Sequence, residues 1–139
     1  MIKVHATVPA LDQAMQRLNI RNAAAIQVDN VVYLSGLTAL DLATGEMVLG
    51  DIGAHAHQTL ALCKLVLEDI GLSLDHVVKV NCFLNDAADF AAWNEVYLDV
   101  FDAPYPCRTT VGACLVVGLI EVEMIAALEP RRGSGSASS

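Results

Sequence analysis

Between Cys107 and Leu128 the chain is almost entirely apolar or small, and its only charges are Arg108, Glu121 and Glu123. Such a segment reads as core, where an unpaired charge is costly enough to be expelled or neutralised. Arg108 therefore needs a partner. One candidate is a structural ion pair with Glu121; the other is an anionic ligand, since charges held in apolar surroundings gather at functional sites.

The rest of the composition narrows the setting. The chain has 139 residues, 55% of them hydrophobic and 17% charged, with a mean hydropathy of +0.48. One domain is the expectation at that length, spanning residues 1–130. Residues 131–139 are expected to be a disordered tail or added linker, because Gly133 to Ser139 reads GSGSASS. The apolar surplus is more than a monomer of this size ordinarily hides, which points to a homo-oligomer. No apolar stretch is both long enough and free enough of charge to span a membrane, so no membrane partner is expected. Met1 to Ala10, with Lys3 and His5, lacks the apolar run of a signal peptide. Sixteen acidic against eight basic residues give a net charge of -8, and the single basic pair, Arg131 and Arg132, makes no nucleic-acid footprint. Cys63, Cys82, Cys107 and Cys114 show no CxxC spacing and read as small buried thiols of a reduced, cytoplasmic protein.

Periodicity outlines the elements. Ile2 to Val8 reads as a strand and Asp12 to Leu18 as a short helix or turn. Ala25 to Val28 and Val31 to Ser35 flank Asp29-Asn30 and predict a hairpin, and Gly45 in DLATGE is placed for positive φ. A helix is predicted from Asp51 to about Ile70, with Ala56, Leu60, Cys63 and Leu67 on one stripe and Gly71 as its stop. Val77 to Leu84 reads as a strand. A second helix carries Phe90, Trp93, Tyr97 and Phe101 on its apolar face and ends before Pro104 and Pro106. Cys107 to Val111 and Leu119 to Leu128 complete the chain as strands around a turn at Gly118. This order, ββ, α, β, α, ββ, predicts an α+β fold with two helices packed on one face of a mixed sheet.

Few polar residues in this frame could carry chemistry. Asn94 falls within the apolar face of the second helix, so its amide must be satisfied either by neighbouring backbone or as a contact in a pocket or subunit interface. Glu121 and Glu123 project to one side of a strand, roughly 7 Å apart. That spacing fits a paired-carboxylate glycosidase, but a solvated strand face explains it more simply. His55 and His57 lie on different sides of a helix and read as surface residues, a poor metal pair, and no metal is expected. Gly112 and Gly118 lack the spacing of a phosphate-binding loop, and Ser35-Gly36 lacks a nucleophile elbow, so no cofactor is expected.

Five stretches taken together carry a resemblance: VVYLSG (Val31 to Gly36), DLATGE, FAAWNEVY (Phe90 to Tyr97), P-x-R-x-T-V (Pro106 to Val111) and EVEMIA (Glu121 to Ala126). In this order and spacing the chain resembles the Rid/YjgF/YER057c/UK114 family of reactive-intermediate deaminases over roughly Ala25 to Leu128. The resemblance implies a chorismate-mutase-like homotrimer with clefts at the subunit interfaces. It implies that Arg108 binds the carboxylate of a 2-imino or 2-enamino acid and that Glu121 positions the hydrolytic water. Asn94, Ser35, and the backbone around Gly36 and Thr110 would line the pocket. Where many members carry a Pro-Tyr pair this chain has Arg21-Asn22-Ala23; Leu37 follows Ser35-Gly36, and Thr110 stands where a cysteine is frequent. These differences keep the anion clamp and bear on the substrate, for which an aminoacrylate-like or aminomuconate-like enamine is an alternative. A carboxylate-binding module without catalysis is the rival function. The family's ribonuclease label sits poorly with the acidic charge.

Overall fold

Along the last strand Ile120, Val122, Met124 and Ala126 are buried while Glu121, Glu123, Ile125 and Ala127 are half-buried, the alternation of a strand with one face on the core. In the computed structural model, which describes residues 1–5 and 8–132, this strand lies inside a six-stranded sheet. The strands are β1 (Ile2–His5), β2 (Ala25–Val28), β3 (Val31–Leu34), β4 (Val77–Leu84), β5 (Cys107–Gly112) and β6 (Ile120–Ala127), in the order β1-β2-β3-β6-β4-β5. Only β4 and β5 run parallel. Although β5 and β6 are consecutive in sequence, they do not pair, because β4 lies between them.

Among the described residues there are three α-helices, α1 (Pro9–Arg17), α2 (Ile52–Asp69) and α3 (Phe90–Val100), rather than the two expected on the sheet. Proline at the first helical position presets φ for α1, and Leu11 and Ala14 then join the core. The strand expected through Val8 ends at His5; Ala6 and Thr7 lie outside the described residues, as does the linker-like Gly133 to Ser139. The Asp51 carboxylate caps α2 by accepting from the Ala54 amide at 3.1 Å. Gly71, at φ 82°, closes it: the Gly71 amide donates to Glu68 O and that of Leu72 to Leu67 O, a left-handed cap that glycine adopts without strain. Gly45 likewise turns at φ 77°.

The α2 residues Ala56, Leu60, Cys63 and Leu67 and the α3 residues Trp93, Val96 and Tyr97 are buried together with Val32, Val80, Cys82, Leu84, Val122 and Met124 of the sheet. Cys63 and Cys82 are the buried thiols, both pushed up to about 12 by loss of solvent. Cys107 and Cys114 are exposed, contrary to the expectation for all four, because one lies on the edge strand and the other in the loop that follows it. Among the described residues no helix is long and apolar enough to cross a membrane.

Arg131, which the sequence reading assigned to the tail, ties three segments together. Its guanidinium donates to Leu74 O at 2.6 Å, Val77 O at 2.7 Å and Pro104 O at 2.6 Å, and packs 5.7 Å from the Phe101 ring centroid. Hydrogen bonds to a charged group are worth about 1.5–3 kcal/mol each, and two of these, to Leu74 O and Val77 O, are part-buried. Arg131→Ala should therefore lower the unfolding free energy by about 3 kcal/mol, read as a drop in the urea midpoint at constant slope. A midpoint within error of the parent would show that the backbone carbonyls resolvate without cost.

Candidate functional site

Arg108 occupies the second position of β5, where the parallel register sets it opposite Val80 and Thr110 opposite Cys82. Paired residues share a face, so Arg108 and Thr110 point to the helix-covered side of the sheet, beneath α3. There the half-buried guanidinium donates from Nη1 to Asn94 Oδ1 at 2.8 Å. It also stacks 4.2 Å from the Tyr97 ring centroid and lies 5.5 Å from that of Phe90. Trp93 Nε1 donates to Thr110 Oγ1 at 3.3 Å, so a second contact pins β5 to α3. Asn94 thus finds its partner in a side chain rather than in neighbouring backbone.

No carboxylate of the described residues lies within ion-pair distance of Arg108. One of its five N–H groups is spent on Asn94, and the residue lines, with Tyr97, Leu98, Tyr105 and Pro106, an open hollow of about 350 Å³. The guanidinium belongs to a column of rings and charges. Tyr97 stacks on Phe101 with centroids 4.9 Å apart, and Phe101 meets Arg131. Burial pushes the Tyr97 hydroxyl above its ordinary range, against the pull of Arg108 and Arg131, which keeps the ring neutral at physiological pH.

Glu121 lies elsewhere. It is paired with Phe83 on β4, in the row opposite to the one that faces α3, and Glu123 is paired with Asn81, whose Nδ2 donates to its Oε1 at 3.1 Å. Within one protomer the sheet therefore separates Glu121 from Arg108, and the structural ion pair allowed by the sequence does not form. The Glu121 side chain rests on Gly36, where an added Cβ would lie 3.0 Å from Oε2 and press the carboxylate aside by a few tenths of an ångström. Ser35 Oγ donates to Ala23 O at 2.6 Å and holds the entry to that segment. The six site residues inferred from sequence thus form two groups, Arg108, Asn94 and Thr110 under α3, and Glu121, Gly36 and Ser35 across the sheet.

Tyr97 and Tyr105 as walls of the arginine hollow were not anticipated, although Tyr97 follows Asn94 by three residues, the spacing that puts two side chains on one helix face. The histidines also differ from expectation. His57 is exposed, but His55 is 6% exposed, because it falls on the core side of α2 next to Ala56.

Comparison with known proteins identifies relatives of the same fold. The family model described as Endoribonuclease L-PSP matches residues 13–128. A 2-iminobutanoate/2-iminopropanoate deaminase of Dermatophagoides farinae is 40% identical over 107 residues, covering 76% of this chain and 84% of the relative. Among solved structures, RidA of an Antarctic Psychrobacter superposes with a TM-score of 0.73 at 38% identity, over 76% of this chain and 87% of that one. TdcF of E. coli, solved with bound serine, gives 0.72 at 31% identity over 77% and 87%. With the sheet, the helices and the family match in agreement, this chain belongs to the Rid (YjgF) family, the family described as Endoribonuclease L-PSP.

Proposed function

We propose that this protein hydrolyses reactive 2-imino and 2-enamino acids to 2-keto acids and ammonia. The observation that carries the reading is Arg108: a half-buried guanidinium, oriented by Asn94 and Tyr97, with no protein carboxylate to neutralise it. A planar fork with paired donors left over suits a ligand carboxylate. One relative is named for 2-iminobutanoate and 2-iminopropanoate, and one solved neighbour holds serine, each a small carboxylate.

The separation of Arg108 from Glu121 bears on how the site is assembled. The sheet face that carries Glu121 also exposes an apolar cross-strand row, Val4, Ile26, Tyr33 and Ile125, with Val4 63% and Tyr33 48% exposed. A sheet face of this kind calls for a protein cover. We take the assembly to be a chorismate-mutase-like homotrimer in which Glu121 and Gly36 of one subunit meet Arg108, Asn94 and Thr110 of the next. The family ribonuclease description finds no support in the charge, which is -8.

In such a cleft the chemistry needs little. Arg108 fixes the substrate carboxylate, and Glu121 takes a proton from the water that attacks the C=N carbon. That proton passes from Glu121 to the imine nitrogen to give the neutral carbinolamine; Glu121 then relays the carbinolamine hydroxyl proton to the nitrogen, the C–N bond breaks, and ammonia leaves as the carbon becomes the ketone. An enamine first accepts a proton at carbon to give the same imine. The residues named here supply the binding and proton transfers of this route.

Arg108→Ala should lower kcat/KM by about 10² or more, the worth of two charge-assisted hydrogen bonds. Glu121→Gln should lower kcat by roughly 10² to 10⁴ with binding of the product keto acid retained. Both are read as ammonia release from imines made in situ by an amino-acid oxidase, against spontaneous hydrolysis. Absence of acceleration by the parent protein on any imine would leave the carboxylate-binding module as the function.

The shared cleft makes a separate prediction. Refolding Arg108→Ala and Glu121→Gln chains together should restore activity that neither has alone, since mixed trimers contain interfaces with both native residues. Light scattering should give three times the chain mass. A monomer at micromolar concentration, or no recovery in the mixture, would dismiss the shared cleft.

A further inference from the structure

Next to Glu121 the protomer contains a cavity of about 620 Å³, within the range of about 300–1,000 Å³ that small-molecule sites occupy. Its wall is apolar: Met15, Leu18 and Ile20 from α1 and the turn after it, Met47 from the long connection into α2, and Val116 and Val117 from the loop before β6. Glu121 and Gly36 form part of the same wall. No lysine or arginine lines it, and its charged members, Glu46 and Glu121, are both acidic. Two carboxylates in the wall repel a carboxylate or phosphate, and the cation beside the wall, Arg17, packs against Gly45. The chain's own tail, GSGSASS, has no side chain able to fill it.

We infer that this cavity receives the side chain of the substrate, and that the preferred substrates are 2-imino acids with long or branched apolar side chains, of the leucine, methionine or phenylalanine type. The inference rests on the deaminase reading above, in which Glu121 serves the water attacking C2. The side chain leaves that same carbon, so with the carboxylate held at Arg108 and C2 beside Glu121, it starts at the mouth of the cavity. Each buried methylene contributes a factor of about four to binding. The three extra carbons of a leucine-type over an alanine-type substrate thus give an advantage on the order of 50-fold if buried fully.

The test compares kcat/KM for imines generated from alanine, leucine, methionine and phenylalanine, together with binding of pyruvate and 4-methyl-2-oxopentanoate to the trimeric protein by calorimetry. The expected result is a leucine-to-alanine ratio of tenfold or more, with the branched keto acid bound tighter by a similar factor. Val117→Trp, which crowds the cavity from a half-exposed position, should reduce both ratios about tenfold. Equal kcat/KM for the alanine- and leucine-derived imines overturns the inference while leaving the deaminase reading intact. If no imine is accelerated, the deaminase reading fails and calorimetry alone decides: equal affinity for the two keto acids, or a binding ratio unchanged in Val117→Trp, overturns the cavity assignment as well.

Discussion

The pairing of β6 with β4 is the constraint from which the rest follows. Its register is fixed because a slip of one residue would exchange Val122 and Met124 for Glu121 and Glu123 on the core face, burying two carboxylates in place of two apolar side chains. Once that register is set, the parallel addition of β5 to β4 fixes Arg108 beneath α3. The same alternation sends Glu121 to the other side. Helix α3, as the crossover between β4 and β5, then brings Asn94 and Tyr97 onto the guanidinium without any further requirement on the chain.

Local signals in the sequence located most elements. The hairpin at Asp29-Asn30, the capped start of α2 at Asp51, its stop at Gly71 and the aromatic face of α3 are each written within a few adjacent residues. What could not be read locally was which strands are neighbours. Cys107 to Leu128 looks like a single apolar neighbourhood, and that look suggested an Arg108 to Glu121 pair. The chain instead places β4 between its last two strands, so residues close in sequence diverge in space. The exposure of Cys107 and Cys114 escaped for the same reason, since an apolar composition does not reveal that a strand will stand at an edge or that the loop after it will be open. For α1, Leu11 and Ala14 gave too short a pattern to separate a helix from a turn, and Pro9 at its first position was the signal to weigh. Recognition of the site residues came from motif order, whereas their division into two groups needed the sheet.

The column Arg108, Tyr97, Phe101 and Arg131 shows how the fold keeps two cations near one aromatic stack. Each guanidinium finds its compensation outside the stack, Arg131 in backbone carbonyls and Arg108 in Asn94. The rings supply their electron-rich faces and exclude water from one side of each charge. Arg131 spends four of its five N–H groups on backbone carbonyls and acts as a structural tie between the start of β4 and the end of α3. Arg108 is satisfied only in part, and the difference between two arginines at opposite ends of one stack separates a structural charge from one with donors to offer.

The sheet between Arg108 and Glu121 also has a chemical consequence. Were the two within ion-pair reach in one protomer, each would neutralise the other, and a substrate carboxylate would have to break that pair before it could bind. Carboxylate basicity would suffer too, since a cation in contact favours the charged form and lowers its affinity for a proton. Kept on opposite faces, the arginine remains available for an anion and the glutamate for a proton. In the proposed trimer they meet only across a cleft wide enough for the substrate between them. Binding there brings a carboxylate to Arg108 and excludes water from the cleft. The oligomer in this reading is a device for holding an acid-base group and its counter-charge apart by the width of the molecule they act on.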